Sequence, residues 1–331
     1  FSRLPLGNQN VASDVLGDAY EYLIKKFADA TNKKAGEFYT PRSVVRLMVD
    51  MLDPKEGDSI YDPACGTGGM LLAALQHVHE LHGDTKLLWG KLFGQEKNLT
   101  TSAIARMNLF LHGLEPQIYL GDSIYEPERG ERYDCILTNP PFGTKGANQA
   151  PVRDDFTVST SNKQLNFIQH VVTILKQGGR AAMVLPDNVL FADAAGDVIK
   201  YLMEDCNVHT ILRLPNGTFT PYSQGAKANV LFFQKGMKTE NVWIYDCRTN
   251  IPGVTKKDRP LTLAMFDDFE KCYGDDPNGQ AKRKDLGEEG RFRKFSYSQI
   301  KERNFNLDIS WLKDENLEDP NSLPEPQLLV A

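Results

Sequence analysis

Apolar positions along the chain follow two rhythms, one with the three- to four-residue spacing of helices and one of short runs typical of strands. From about Asp14 to Ala30, Leu16, Tyr20, Leu23 and Phe27 recur at helical spacing, which predicts an amphipathic helix. After a polar break and the loop Gly36-Glu37-Phe38-Tyr39-Thr40-Pro41, a second helix is predicted from Arg42 to Leu52. Its stripe is Val44, Val45, Leu47, Met48 and Met51. Seven strand-like segments follow, at Ser59–Asp62, Leu92–Glu96, Gln117–Leu120, Tyr133–Thr138, Arg180–Leu185, Val208–Leu214 and Asn229–Phe233. Helices are predicted between several of them, at Gly68–His82, Thr100–His112 and Asn166–Lys176, the last ended by Gly178-Gly179. Such alternation is the pattern of a mostly parallel sheet in an α/β fold.

Past Lys235 the composition changes. Asn241–Cys247 is compatible with one more strand, and Asp275–Arg293 is rich in glycine and mixed charge. After Lys313 there are five acidic residues, three prolines and no basic residue, the composition of a mobile tail or a partner-docking segment. The expected organisation is a helical segment over 1–35, a catalytic domain over 36–235 and a C-terminal extension over 236–331.

With 331 residues, 41% hydrophobic and 25% charged, the chain can bury a sizeable core. No run approaches the roughly 18 apolar residues of a membrane span. No basic stretch leads into an apolar one at the start, so a cytoplasmic protein is expected. Phe1 in place of methionine points to a fragment or a processed form. The five cysteines are odd in number, scattered and never in a CxxC pair, which fits reduced thiols better than a disulfide framework or a metal site. Net charge is −6, whereas proteins that grip duplex DNA unaided usually present a basic surface. Any DNA grip is therefore expected to come from a local basic face or a partner.

Candidate chemistry lies at the ends of the predicted strands. Asp62-Pro63-Ala64-Cys65-Gly66-Thr67-Gly68-Gly69 turns from the first strand into a helix. Glycines such as Gly66 and Gly68 let backbone approach a ligand closely. Glu96 ends the second strand, where a ribose-binding acid belongs in a Rossmann-like fold, and Asp122 follows the third. The carboxylate of Asp62 suits a cationic or hydroxyl group, and that of Asp122 an adenine amino group. No phosphate fingerprint and no P-loop lysine is present, so the expected ligand is a nucleoside without phosphates. A solvated turn with no ligand is the plainer reading of any one of these acids, but three at successive strand ends resist it.

Asn139-Pro140-Pro141-Phe142 ends the fourth strand. An aromatic amine is a poor nucleophile because its lone pair is delocalised into the ring. Two acceptors on its two N–H groups favour rehybridisation and aim the lone pair at an incoming methyl group. The Asn139 side-chain oxygen and the Pro140 carbonyl suit this role, and Phe142 suits stacking on a base turned out of the helix. The alternative is a Pro-Pro strand terminator with a buried phenylalanine.

Together these residues resemble the amino-methyltransferases, and in particular the modification subunits of type I restriction–modification systems. Gly36 to Pro41, Asp62 to Gly69, Glu96, Asp122 and Asn139 to Phe142 occur in that family's order. So do Leu214-Pro215-Asn216-Gly217-Thr218-Phe219, Asn229 to Phe233 and Tyr297 to Trp311. The resemblance implies a Rossmann-like S-adenosylmethionine-dependent methyltransferase fold, with a seven-stranded mostly parallel sheet, helices on both faces and an antiparallel last strand. It implies that Phe38, Tyr39 and Thr40 line the methionine end of S-adenosylmethionine, with Asp62 near its amino group. Glu96 would hold its ribose and Asp122 its adenine, with Gly66, Gly68 and Asn139 also among the cofactor-binding residues. Phe219 or Tyr222 would pack on the flipped base. The implied reaction is methylation of adenine N6 in duplex DNA, with a separate specificity subunit, a restriction subunit and two modification subunits per specificity subunit. Rival activities are methylation of cytosine N4, of guanine N2 in ribosomal RNA or of a protein glutamine amide. An inactive scaffold is the non-enzymatic rival. The GEFYTP segment argues against the RNA and protein substrates, and intact Asn139 and Phe142 against a scaffold.

Other features are expected to be structural. His77, His79 and His82 read as a solvated helix end, since His77 and His79 face nearly opposite sides. Neither Cys65 nor Cys135 follows a proline, as a C5-cytosine nucleophile would. Lys282-Arg283-Lys284 reads as a solvated loop.

Overall fold

The computed structural model describes residues 40–313 apart from 84–87, 89, 116, 127–128, 144–148, 193 and 221–224, together with Ala19, Tyr20, Tyr22 and Leu23. The helix expected over 14–30 therefore lies outside the described residues except for those four, which are helical. The tail beyond Lys313 lies wholly outside them. Arg42–Leu52 forms α1 as its apolar stripe predicts, burying Val44, Val45, Leu47, Met48 and Leu52. The remaining helices are α2 (Gly69–His82), α3 (Leu99–Leu111), α4 (Lys163–Ile174), α5 (Ala195–Asp205), α6 (Asp267–Tyr273) and α7 (Tyr297–Glu302).

The strands are β1 (Ile60–Asp62), β2 (Leu92–Glu96), β3 (Gln117–Leu120), β4 (Tyr133–Thr138), β5 (Leu175–Pro186), β6 (Cys206–Arg213), β7 (Ala228–Lys235), β8 (Asn241–Asp246) and β9 (Phe292–Ser296). They form one sheet in the order β3-β2-β1-β4-β5-β7-β6-β8-β9. β1 pairs in parallel with β2 and β4, whereas β7 runs antiparallel to both β5 and β6. The α/β class and the antiparallel seventh strand agree with the sequence. The expected count of seven does not: β8 adds in parallel to β6, and β9 closes that edge antiparallel to β8.

Alternate residues of each strand serve two cores, because successive side chains leave opposite faces of a sheet. On β5, Ala182 and Val184 join the core under α1 and α2, while Ala181, Met183 and Leu185 join the core under α4 and α5. Helices thus cover both faces. The pair Gly178-Gly179 lies inside β5, not at a helix end. A Cβ on Gly179 would stand 2.9 Å from the Lys176 carbonyl oxygen and 3.0 Å from that of Tyr133, so glycine is required where the register shifts against β4. α5 is not among the helices expected above, although its buried Val198, Ile199, Leu202 and Met203 carry helical spacing.

Two expectations of solvated charge need correction. His77 is 6% exposed and bonds Asp50 through Nδ1 and Asp53 through Nε2, each at 3.0 Å, fastening α2 to the end of α1. Arg283 turns inward and donates to Thr210 Oγ1 at 2.8 Å and to the Tyr273 carbonyl at 2.8 Å, lying over the Tyr273 ring. Only Lys282 and Lys284 beside it are exposed. Among the described residues no helix is long and apolar enough to cross a membrane, and no three His, Cys, Asp or Glu side chains are placed to hold a metal ion.

Burial lowers the affinity of the His77 ring for a proton, but its bonds to Asp50 and Asp53 outweigh that and raise its pKa above the ordinary histidine value. A raised folded-state pKa contributes stability that is complete below the unfolded value near 6.5 and is lost as pH rises through the folded value. Urea unfolding from pH 6 to 9 should therefore show the stability gap between wild type and His77→Gln narrowing as pH rises. A gap that stays constant would mean that the ring is neutral throughout.

Candidate active site

Parallel strands deliver their carboxyl ends to one rim, and the strand order reverses between β1 and β4, the position where open α/β sheets bind ligands. A cleft of about 840 Å³ opens there, within the ~300–1,000 Å³ usual for small-molecule sites. Its walls include Glu96, Asp122, Ser123, Asn139, Phe142 and Lys163.

Asp62 ends β1 and is 2% exposed. Its Oδ1 accepts the Ala64 N–H at 3.0 Å. Burial pushes its carboxyl up to about 7, against that hydrogen bond and with a further upward push from the charge of Glu96. Glu96, at the end of β2, accepts the Asn98 N–H at 2.7 Å and the Gly66 N–H at 3.2 Å, and burial raises its pKa in spite of them. Gly66 and Gly68 have φ of +54° and +84°, values that disfavour any side chain. Asp122 follows β3, accepts the Ile124 N–H at 3.3 Å and pairs with the exposed Lys97 ammonium at 2.9 Å.

Asn139, next to the end of β4, meets Thr40 from the chain ahead of α1. Its Nδ2 donates to Thr40 Oγ1 at 2.9 Å, and its Oδ1 is buried with no hydrogen-bond partner. Pro140 is buried in the same turn. The Phe142 ring lies on the edge of Phe219, with centroids 5.0 Å apart at 70°. The fold thus brings together Thr40, Asp62, Gly66, Gly68, Glu96, Asp122 and Asn139 to Phe142 on one rim, with Phe219 against its far end. Phe38, Tyr39 and Tyr222 lie outside the described residues.

Two bracing residues escaped the sequence reading. Gln164, in the first turn of α4, donates to the carbonyls of Pro141 at 3.0 Å and Gly143 at 3.1 Å, and so holds the Asn-Pro-Pro-Phe turn from outside. A polar residue one turn ahead of Ile168 on a buried helical face was the available signal. Buried Arg153 donates to the Ser123 carbonyl at 2.7 Å, while Ser123 Oγ donates to the Pro63 carbonyl at 2.8 Å, tying the turn after β3 to the turn after β1. Arg153 lies in an irregular segment, and nothing in its local sequence announces this.

The family profile N-6 DNA Methylase matches residues 11–319. The chain belongs to the N-6 DNA methylase family. It is 38% identical to the methylase subunit of the type I restriction enzyme StySJI from Salmonella typhimurium and 37% identical to that of EcoKI from Escherichia coli. Each match covers 98% of this chain and 70% of the relative. The crystal structure of the EcoKI M protein superposes with a TM-score of 0.77 at 36% identity, over 86% of this chain and 68% of that one. As an N-6 DNA methylase of the type I restriction–modification kind, the chain uses S-adenosylmethionine as its cofactor. The rim fits that cofactor chemically. Glu96 and Asp122 line the cleft, where Lys97 and Lys163 also stand. Buried Asp62 ends β1 next to the lining residues Pro63 and Ala64, while the glycine turn itself carries no cation. The positive φ of Gly66 and Gly68 shapes the turn so that the Gly66 N–H reaches Glu96 and Gly68 packs on Leu109, which fixes the acids that a nucleoside with a cationic amino-acid arm requires.

Difference infrared titration of the free protein should reveal a carboxyl with a pKa about 7, absent from Asp62→Asn. A spectrum without any carboxyl change between pH 6 and 8 would contradict the burial of this group.

Proposed function

We propose that Asn139, Pro140 and Phe142 receive an adenine turned out of duplex DNA, and that the rim formed by β1 to β3 holds the cofactor beside it. The reaction is transfer of a methyl group to N6 of that adenine. The observation that carries the reading is the buried Asn139 Oδ1 without a partner, in a side chain whose Nδ2 is already held by Thr40. A buried acceptor left open costs about 1–3 kcal/mol, and an incoming amine removes that cost.

One N–H of the adenine amine would donate to Asn139 Oδ1 and the other to the Pro140 carbonyl. Both bonds strengthen as the nitrogen becomes tetrahedral, so they stabilise the transition state more than the ground state. Thr40 fixes which end of the Asn139 amide faces the amine, and Gln164 keeps the proline turn in place. Phe142 stacks on the base. S-adenosylmethionine, when bound, supplies an electrophilic methyl group on a sulfonium centre. Glu96 would accept from its ribose hydroxyls, Asp122 from its adenine amine, and the Asp62 carboxylate would face its ammonium group, with Phe38, Tyr39 and Thr40 along the methionine arm. The methylated ammonium sheds its proton readily, so no strong base is needed at the site.

The net charge of −6 supports a division of labour in which a specificity subunit reads the DNA. The assembly would hold two modification subunits per specificity subunit, with a restriction subunit in the full complex, and would work in the cytoplasm.

In the complex assembled with its specificity subunit, Asn139→Ala should abolish turnover while S-adenosylmethionine affinity stays within a few-fold of wild type. Phe142→Ala should lose base stacking, about 1–3 kcal/mol, and Phe142→Trp should keep part of it. Near-normal methylation by Asn139→Ala would refute the role of this turn. Equal loss of cofactor binding in Asn139→Ala and Phe142→Ala would make it a wall of the cofactor pocket.

A further inference from the structure

Arg248 sits in the turn after β8, within the C-terminal extension, and is 4% exposed. Its guanidinium gathers three chain segments at the carboxyl rim. Nε donates to the Leu214 carbonyl at 3.2 Å, and Nη1 donates to Asp187 Oδ2 at 2.6 Å. Nη2 donates to the Ala228 carbonyl at 2.6 Å and to Asn229 Oδ1 at 3.1 Å. Leu214 leaves β6 and Ala228 begins β7, so one side chain clasps both stems of the connection that carries Phe219. The Leu214 N–H donates to the same Ala228 carbonyl at 3.0 Å, closing the neck. Asn229 Nδ2 also donates to Asp187 Oδ1 at 2.8 Å, which ties the end of β5 to the start of β7. The turn that aims Arg248 is itself set by fully buried Asp246, whose Oδ1 accepts the N–H groups of Arg248 and Thr249, each at 2.8 Å.

All three guanidinium nitrogens are engaged inside the protein, so this arginine is not offered to a DNA phosphate. A lysine cannot reproduce the arrangement, because its single ammonium lacks the planar fork that reaches several acceptors at fixed angles. From the neck, the chain runs Leu214-Pro215-Asn216-Gly217-Thr218-Phe219 to the ring lying on Phe142. Gly217, at φ +80°, lies so close to the Val254 carbonyl that a Cβ would come within 2.3 Å of its oxygen, and the Val254 N–H donates to the Asn216 carbonyl at 2.7 Å. The extension therefore grips this segment twice, at its neck and part-way along.

We infer that Arg248 is a positioning residue for the target base: it holds the neck of the β6–β7 connection so that Phe219 stays against Phe142 where the flipped adenine stacks. The inference rests on the reading of Asn139 and Phe142 as the base site. It assigns a role in the methyl-transfer geometry to a residue outside the cofactor half of the rim, which β1 to β4 build without it.

The test uses the full-length chain assembled with its specificity subunit, on a duplex whose methylated adenine, located by sequencing, is replaced by 2-aminopurine for the fluorescence measurement. Arg248→Lys should keep S-adenosylmethionine affinity within about threefold while turnover on the natural duplex falls roughly tenfold to a hundredfold, the scale of a misplacement near 1 Å. Its 2-aminopurine emission should shift toward that of Phe219→Ala. Asp187→Asn keeps the shape of the clasp but weakens its charge-assisted bond, so it should show a smaller loss of the same kind, and it decides the question should Arg248→Lys not fold. Turnover and emission within twofold of wild type would overturn the inference, as would cofactor affinity that falls in step with turnover. If Phe142→Ala alters emission but Phe219→Ala does not, the base site stands and the role of Arg248 fails. If Phe142→Ala alters nothing, the base-site reading fails and takes this inference with it.

Discussion

The parallel pairing of the three-residue β1 with β2 on one side and β4 on the other is the constraint on which the site depends. Ile60 is in register with Leu92 and with Cys135, and Tyr61 with Phe93 and Ile136. That register brings Asp62, Glu96 and Asn139 to one rim although they are far apart along the chain. β1 has no length to spare, and burial on both faces holds it in place. Tyr61 stacks on Tyr133 with centroids 4.4 Å apart and donates to Gln95 Oε1 at 2.9 Å, so one side chain links all three strands just below the rim.

A rim of carboxylates in the low dielectric of a sheet edge works against itself. Burial and mutual repulsion favour the protonated forms of Asp62 and Glu96. The fold offsets this with backbone N–H groups from Ala64, Gly66 and Asn98 rather than with cations. Dipoles hold Asp62 and Glu96 without cancelling their charge, while Lys97 pairs with Asp122. The first two carboxylates therefore remain available to a ligand carrying positive charge and hydroxyl groups.

On the proposed reading, the two halves of the site are built differently. The cofactor half would follow from strand ends within the first hundred or so residues of the sheet. The base half would depend on the turn after β4, on the connection between β6 and β7, and on the extension that clasps that connection through Arg248. Extending the sheet through β8 is what brings Arg248 to this rim, because β8 runs parallel to β6 and ends beside it. Sequence position alone would place this arginine outside the catalytic machinery.

The sequence by itself determined the alternation of strands and helices, the glycine turn, the three acids and the Asn-Pro-Pro-Phe turn. These are local signals, since periodicity, turn chemistry and strand-end position are written within a few residues of each other. Their arrival on one rim follows once the sheet is parallel. What only the tertiary structure decided are the partners that lie distant in the chain: Thr40 orienting Asn139, Gln164 and Arg153 bracing the turns, His77 between two aspartates, and Arg248 across the neck of a loop. The strand count belongs here too, because β9 has a mixed-charge sequence, Phe-Arg-Lys-Phe-Ser, that becomes a strand only against the open edge of β8. A buried polar or basic residue has the same local sequence whether it meets solvent or a carbonyl. Only the packed fold supplies the acceptor, and with it the reason for the residue.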